Sequence, residues 1–397
     1  MKPLLLSNFT AASCIGLGLA QTLESLLAQR SGLKPCDFET VDIETHIGEV
    51  AGVDAVRLPP ELSAYDCRNN RLAELALQQD DCMEAVRSAA GRYGRKRIGV
   101  FMGTSTSGIL QTELAYRHRD RLTAALPDSF EYRGTHNSFS VADYLRRRLG
   151  LEGPAVAVSC ACASSAKVFA SARRMIEAGI IDAALVGGVD SLCLTTLYGF
   201  RSLQLSSPRP CRPFDIARDG ISIGEAAAFA LLERPPANMT GDGILLLGVG
   251  ESSDAYHMSA PHPEGQGARR AMQAALAAAA LEPGDIDYIN LHGTATPSND
   301  RAESHAVTSV FGPTTPGSST KGATGHTLGA AGGLEAVISA IALREGLMPG
   351  GVHTVHVDPT LTALYLRKNR RAPLSRVLSN SFGFGGTNCS LVLGRAG

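Results

Sequence analysis

The chain lacks a surplus of either charge: 37 Lys and Arg stand against 38 Asp and Glu, a formal net charge of −1. Bulk electrostatic attraction therefore points to no nucleic-acid partner. It also lacks long apolar runs. None reaches the ~18 uninterrupted apolar residues of a membrane helix. Lys2-Pro-Leu-Leu-Leu6 starts like a signal peptide, but Ser7, Asn8 and Thr10 end the run too early, and Ala12-Ser13-Cys14 fails as a lipoprotein box for the same reason. A first strand of a cytoplasmic protein is expected here. Nine cysteines, an odd number without framework spacing, fit reduced thiols better than disulfides. Short-period repeats and low-complexity segments are also missing.

What is present is the composition of a globular α/β protein, 44% hydrophobic and 19% charged over 397 residues. Strands and helices alternate, with glycine at the turns. Residues 97–102 and 154–159 read as strands, 163–178 as an alanine-rich helix closed by Gly179, and 180–186 as a strand ending at Gly187-Gly188. The Pro- and Gly-rich segment Arg234 to Gly243 is the best internal boundary, which predicts an N-terminal half over 1–235 and a C-terminal half over 242–397. After it come a strand over 244–249, a helix over 267–280 and a strand over 286–291, an order that hints at duplication.

Three residues carry the chemistry. Cys162, in Ser159-Cys-Ala-Cys-Ala-Ser-Ser-Ala166, stands where a strand hands over to a helix, a placement expected to favour the thiolate through the helix's unpaired N–H groups. Cys160 is read as an inert small core residue, and no second thiol pair lies at metal-ligand spacing. His292 in His292-Gly-Thr-Ala-Thr-Pro297 and His326 in Lys321-Gly-Ala-Thr-Gly-His326 occupy small-residue loops that present an imidazole into a cleft. A thiol nucleophile with two imidazoles fits acyl chemistry on thioesters. Lys321 offers a fixed positive charge, and Glu335 lies on the helix expected from about Leu328. The segment Asn380-Ser-Phe-Gly-Phe-Gly-Gly-Thr-Asn388 sets Phe382 and Phe384 among glycines, as a backbone that offers an N–H to an oxyanion requires.

These motifs, together with Arg212-Pro-Phe-Asp215, Arg218-Asp-Gly220, Gly224-Glu225 and Asp254-Ala-Tyr-His-Met258, resemble in order and spacing an elongating β-ketoacyl-acyl carrier protein synthase of the thiolase-like superfamily, over essentially the whole length. The resemblance implies a five-layered αβαβα fold of two similar βαβαβαββ halves. It implies decarboxylative condensation of malonyl-acyl carrier protein with an acyl group on Cys162. His292 and His326 match the paired histidines that bind the malonyl thioester carbonyl, and Lys321 and Glu335 the lysine and glutamate beside them. Phe384 matches the gating phenylalanine whose N–H joins that of Cys162 in the oxyanion hole. Thr294 and Thr296 match the threonines that hold the phosphopantetheine arm, and Phe382 joins them among the substrate-binding residues.

No cofactor or metal of the enzyme's own is implied, since the substrates ride on the phosphopantetheine of an acyl carrier protein. Arg68, Arg71 and Arg201 lie in segments resembling the carrier-docking surface. A homodimer through about Val156–Ser159 is implied, with a heterodimer with a homologous chain-length factor left open. Departures at 6–16, 65–71 and 103–108 favour a dedicated polyene- or polyketide-type pathway over the housekeeping enzyme. A thiolase would want a second catalytic cysteine in a Cys-x-Gly loop, and Cys389 does not sit in one. An initiating synthase would carry Asn where His326 stands. Ser164-Ser-Ala-Lys167 spells the Ser-x-x-Lys of penicillin-recognising hydrolases, but the companion motifs are missing.

Overall fold

The computed structural model describes residues 1–237, 239, 241 and 243–396. Of the expected second half, Asp242 and Gly397 lie outside the described residues. Ten strands form one sheet: β1 (Leu4–Ser13), β2 (Ile98–Gly103), β3 (Ala155–Val158), β4 (Ala183–Asp190), β5 (Ala226–Glu233), β6 (Ile244–Ser253), β7 (Tyr288–Asn290), β8 (Gly317–Ser318), β9 (Arg376–Gly383) and β10 (Thr387–Arg395). The short strand Gly16–Leu17 pairs on β1. Their order in space is β8-β7-β9-β10-β6-β1-β5-β4-β2-β3. Numbered in chain order within each half, both halves read third, second, fourth, fifth, first. Both have two parallel pairings at the outer end and antiparallel ones inward. The halves are stitched where β1 meets β6, with Leu4 opposite Leu246 and Leu6 opposite Ile244.

Seven helices frame the site: α1 (Arg68–Leu77), α2 (Ser140–Arg148), α3 (Ser164–Glu177), α4 (Leu194–Ser202), α5 (Gln266–Ala279), α6 (Pro297–Phe311) and α7 (Ala331–Glu345). Helix α7 is buried on every face from Ala331 to Leu343, as a helix without a polar stripe must be. It packs on β5 and β4 to one side and on β9 and β10 to the other, with α3 beside it. Helices α1 and α2 cover the outer face of the first half, and α5 and α6 that of the second. The result is five layers, helices alternating with the two halves of the one sheet. Phe169, Val186, Leu334, Ile338, Val377 and Leu391 share one buried cluster across these layers.

Small residues let the central helices approach. A Cβ on Gly332 would lie 2.7 Å from the Ala166 side chain, and the Gly333 N–H donates to Ser165 Oγ at 2.8 Å. The same logic corrects one expectation. Gly187-Gly188 does not end a strand at 186, because β4 runs on to Asp190. A Cβ on Gly187 would come within 1.9 Å of the Ala228 carbonyl oxygen, so the glycines mark a close approach inside the sheet and not a turn. The strand expected over 286–291 shortens to Tyr288–Asn290, and the helix after Cys162 runs from Ser164 to Glu177 with Gly179 at φ 70°.

Candidate active site

Corresponding places in the two halves supply the two sides of the site. Cys162 sits between β3 and α3, and Lys321 and His326 sit between β8 and α7. The turn into Cys162 is tight. Ala161 takes the left-handed region at φ 53°, and Ser164 Oγ accepts the Cys160 N–H at 2.9 Å while donating to the Ala161 carbonyl at 2.5 Å. Across the gap His326 Nε2 lies 3.0 Å from Cys162 Sγ. The thiol sulfur and one nitrogen of each of His292 and His326 all fall within 4.8 Å of one another. The two imidazoles meet edge to face at 5.3 Å between centroids, and the Phe382 ring stands 5.8 Å from that of His292.

The thiolate expected from the helix N-terminus is not what the structure holds. Cys162 is 6% exposed, and burial pushes its thiol up to about 12. The Lys321 charge and the backbone N–H groups of Phe384 and of Cys162 itself pull the other way without winning. Desolvation is the largest of these influences on the thiol. Burial likewise holds both imidazoles well below the ordinary histidine value, with Lys321 adding to the effect. Both are neutral at pH 7 and present one N–H each.

Lys321 fixes which N–H His292 presents. Its Nζ donates to the His292 carbonyl at 2.6 Å and lies 3.4 Å from His292 Nδ1. An ammonium has only donors, so Nδ1 must accept and the proton of His292 sits on Nε2. Lys321 also pairs with Glu335, both side chains buried at 1% and 3% exposure. Burial raises the Glu335 carboxyl to about 7 against the pull of Lys321. Thr294 and Thr296 line the same cleft with their hydroxyls 2.9 Å apart, and Thr296 caps α6. Phe384 closes on Phe200 of α4 at 5.6 Å, and a Cβ on Gly383 would stand 3.2 Å from the Cys162 nitrogen. The cleft, which Ser259, Ala260 and Pro261 also line, spans about 590 Å³, part of it open to solvent.

The arginines divide. Arg201, on the last turn of α4, is exposed and its guanidinium has no partner among the described residues. Arg68 is no docking residue. It is 5% exposed and grips Glu225 through Nε at 2.9 Å and Nη2 at 2.6 Å, with Asp54 and Glu49 beside it. Arg71 is tied to Asp66. Sequence reasoning missed Glu303, whose oxygens accept the N–H groups of His292 and Gly293, each at 2.7 Å. Its signal is a pair of carboxylates, Asp300 and Glu303, three apart on the inward face of a helix that starts beside a candidate site.

Known proteins match this chain over nearly its whole length. The Beta-ketoacyl synthase N-terminal domain family matches residues 9–237, and the corresponding C-terminal domain family matches residues 245–355. The 3-oxoacyl-[acyl-carrier-protein] synthase 2 of Staphylococcus aureus (strain COL) is 30% identical over 98% of both chains, and that of Coxiella burnetii 32% over 99% of both. Among solved structures, the ketosynthase ApeO in complex with its chain length factor ApeC from Xenorhabdus doucetiae is 38% identical, with a TM-score of 0.89 over 100% of this chain and 98% of that one. The ishigamide ketosynthase/chain length factor superposes with a TM-score of 0.88 at 27% identity over the full length of both.

Proposed function

Because this chain belongs to the β-ketoacyl synthase family, with its thiolase-like fold, we propose that its condensation runs through Cys162 as nucleophile and through His292 and His326 as donors to the thioester oxygen. The enzyme is an acyltransferase-class ketosynthase that condenses carrier-bound acyl units in fatty-acid or polyketide biosynthesis. The observation that carries the assignment of roles is the convergence of one thiol and two neutral imidazoles within 4.8 Å.

Transfer of an acyl group to the Cys162 sulfur breaks the incoming thioester and releases the carrier's thiol, so one difficult step becomes two. A thiol held at about 12 needs its proton taken as it attacks, and His326 Nε2 at 3.0 Å is placed to accept it and to pass it to the leaving carrier sulfur. Loss of CO2 from the malonyl group then leaves enolate charge on its thioester oxygen. The His292 Nε2–H, its tautomer set by Lys321, stabilises that charge, joined by His326 once its single proton sits on Nε2, and the enolate carbon attacks the acyl-Cys162 carbonyl. The N–H groups of Phe384 and Cys162, which already face the sulfur, receive the oxyanion of that addition. Its collapse breaks the acyl–sulfur bond and expels the Cys162 thiolate, which takes up a proton from water to restore the resting thiol. Thr294 and Thr296 bind the phosphopantetheine arm. Phe382 packs along it, and Arg201 meets the acidic carrier at the mouth. The enzyme binds no cofactor of its own.

The two halves divide at the segment after residue 235, and the protein works in the cytoplasm, where its nine unpaired cysteines stay reduced. No helix among the described residues is long and apolar enough to cross a membrane.

One observation favours a second, more specific reading, the catalytic member of a ketosynthase–chain-length-factor pair. Two solved ketosynthase and chain-length-factor structures superpose on the full length of this chain, with TM-scores of 0.89 and 0.88 at 38% and 27% identity. Strand β3 ends the sheet and is half-buried along its length, which leaves an edge for such a partner, or for a second copy.

Intact mass after incubation with a panel of acyl-carrier thioesters, alone and with the co-expressed partner, tests both readings. A Cys162-dependent adduct that malonyl-carrier discharges as a two-carbon-longer 3-oxoacyl product is the expected result. An adduct that survives Cys162→Ala would overturn it.

A further inference from the structure

We propose that Asp190 is a positioning residue for the condensation: its carboxylate clamps the two turns that hold Cys162 and His326 at their reacting separation. The inference rests on the roles given above to those two residues.

Asp190 ends β4 and is fully buried. Its Oδ1 accepts from Thr104 Oγ1 at 2.7 Å, from the Ser105 N–H at 2.8 Å, and from the N–H and Oγ1 of Thr106, each at 2.9 Å. Its Oδ2 accepts from the Gly329 N–H at 2.5 Å and, at 3.0 Å, from the Ser105 N–H. One oxygen thus holds the turn after β2, and the other holds the loop that follows His326. The first turn passes the constraint on, because Ser105 Oγ donates to the Ala161 carbonyl at 3.2 Å. Burial pushes the Asp190 carboxyl up, and every one of these contacts, donating to the carboxylate, favours the anion against it.

What the clamp holds is strained. Ala161, one residue before Cys162, and Leu328, two after His326, both sit in the left-handed region at φ 53° and 52°. Non-glycine residues persist there only when their surroundings over-determine them. Asp190 binds the N–H next to one of them and, through Ser105, the carbonyl of the other. Nor is there slack at Gly329, where a Cβ would come within 2.7 Å of Asp190 Oδ2.

Asp190→Asn separates clamping from filling space. Its oxygen is retained by the donors gathered on Oδ1, so its NH2 faces the Gly329 N–H, donor against donor, and the His326 loop loosens. The same change removes a negative charge that works against the Cys162 thiolate. Lys321 and the N–H groups of Phe384 and Cys162 favour the thiolate, and the neutral His292 and His326 add no charge. Turnover and thiol reactivity are therefore expected to move in opposite directions, which a merely structural role would not produce.

The test measures turnover with acyl-carrier and malonyl-carrier per alkylatable Cys162, counted by iodoacetamide and peptide mass, for parent, Asp190→Asn and Ser105→Ala. For Asp190→Asn, kcat per site falls about tenfold or more, malonyl-carrier KM shifts less than about threefold, and Cys162 alkylation at fixed pH becomes faster. Ser105 is exposed, and Ser105→Ala keeps the carboxylate while cutting only the link to Ala161, so a fall of about threefold is expected. It carries the test alone if Asp190→Asn does not fold. Turnover per site equal to the parent in the folded variants overturns the clamp. A parent without Cys162-dependent turnover overturns the reading of the site, and the clamp with it.

Discussion

His326 meets Cys162 at 3.0 Å from Nε2 to Sγ, with both groups buried and uncharged. A resting thiolate–imidazolium pair would need two charges stabilised where burial disfavours both. The structure instead keeps a neutral thiol beside a neutral base, so charge appears only when a thioester is present to receive it.

That resting state has a pH signature. Capture of Cys162 by iodoacetamide, followed by peptide mass, should climb about tenfold per pH unit between pH 7 and 10, as thiolate does below its pKa. With the thiol near 12, no plateau is reached in that range. Both imidazoles titrate well below 6.5, so the curve carries no inflection there. A plateau already reached near neutrality would mean an ion pair at rest and would contradict the neutral assignment.

This reversal also marks where sequence reading stops. Cys162, His292, His326 and the Phe384 turn were legible because each is announced within ten residues by small neighbours that allow close backbone approach. The elements around them were legible from apolar runs bounded by glycine and proline. The protonation state of Cys162 was not, because it is set by burial in the folded chain, against which Lys321 and the Phe384 N–H, both far along the sequence, pull without prevailing. Arg68 misled for the same reason. A helix residue in a polar stretch reads as surface, and only Glu225, 157 residues away, draws it inside. Glu303 and Asp190 act through backbone N–H groups, which leave no trace in the composition of the turns they hold.

The Lys321–Glu335 pair should show its coupling in how stability depends on pH. Lys321→Met removes the cation that draws Glu335 toward its charged form, so the Glu335 carboxyl, already raised to about 7 by burial, takes up a proton. The loss in urea unfolding at pH 7 is therefore expected to stay within about 1–3 kcal/mol. That loss should grow as pH rises and the carboxyl is forced to ionise, and adding Glu335→Gln should remove this pH dependence. Condensation should stay impaired in the double variant, since nothing then holds the His292 proton on Nε2. Full recovery of activity together with stability would show that the lysine serves folding alone.

Two arginines that look alike in sequence should fail in different ways. Arg201 is exposed and unpaired among the described residues, so Arg201→Glu is expected to raise the carrier-thioester KM several-fold while kcat and Cys162 alkylation hold. That effect should shrink as salt approaches about 0.5 M, where charges on a wet surface are screened within a few ångströms. Arg68→Ala should do the reverse. Glu225, with its side chain fully buried, loses both of its charge-assisted bonds, and the cost falls on stability at about 3–5 kcal/mol. Asp54, three-quarters exposed, turns back to water at little cost. For Arg68→Ala the KM measured per folded site should match that of the parent. If instead Arg68→Ala raises KM without loss of stability, the buried network is not what holds that arginine, and the docking surface extends to α1 after all.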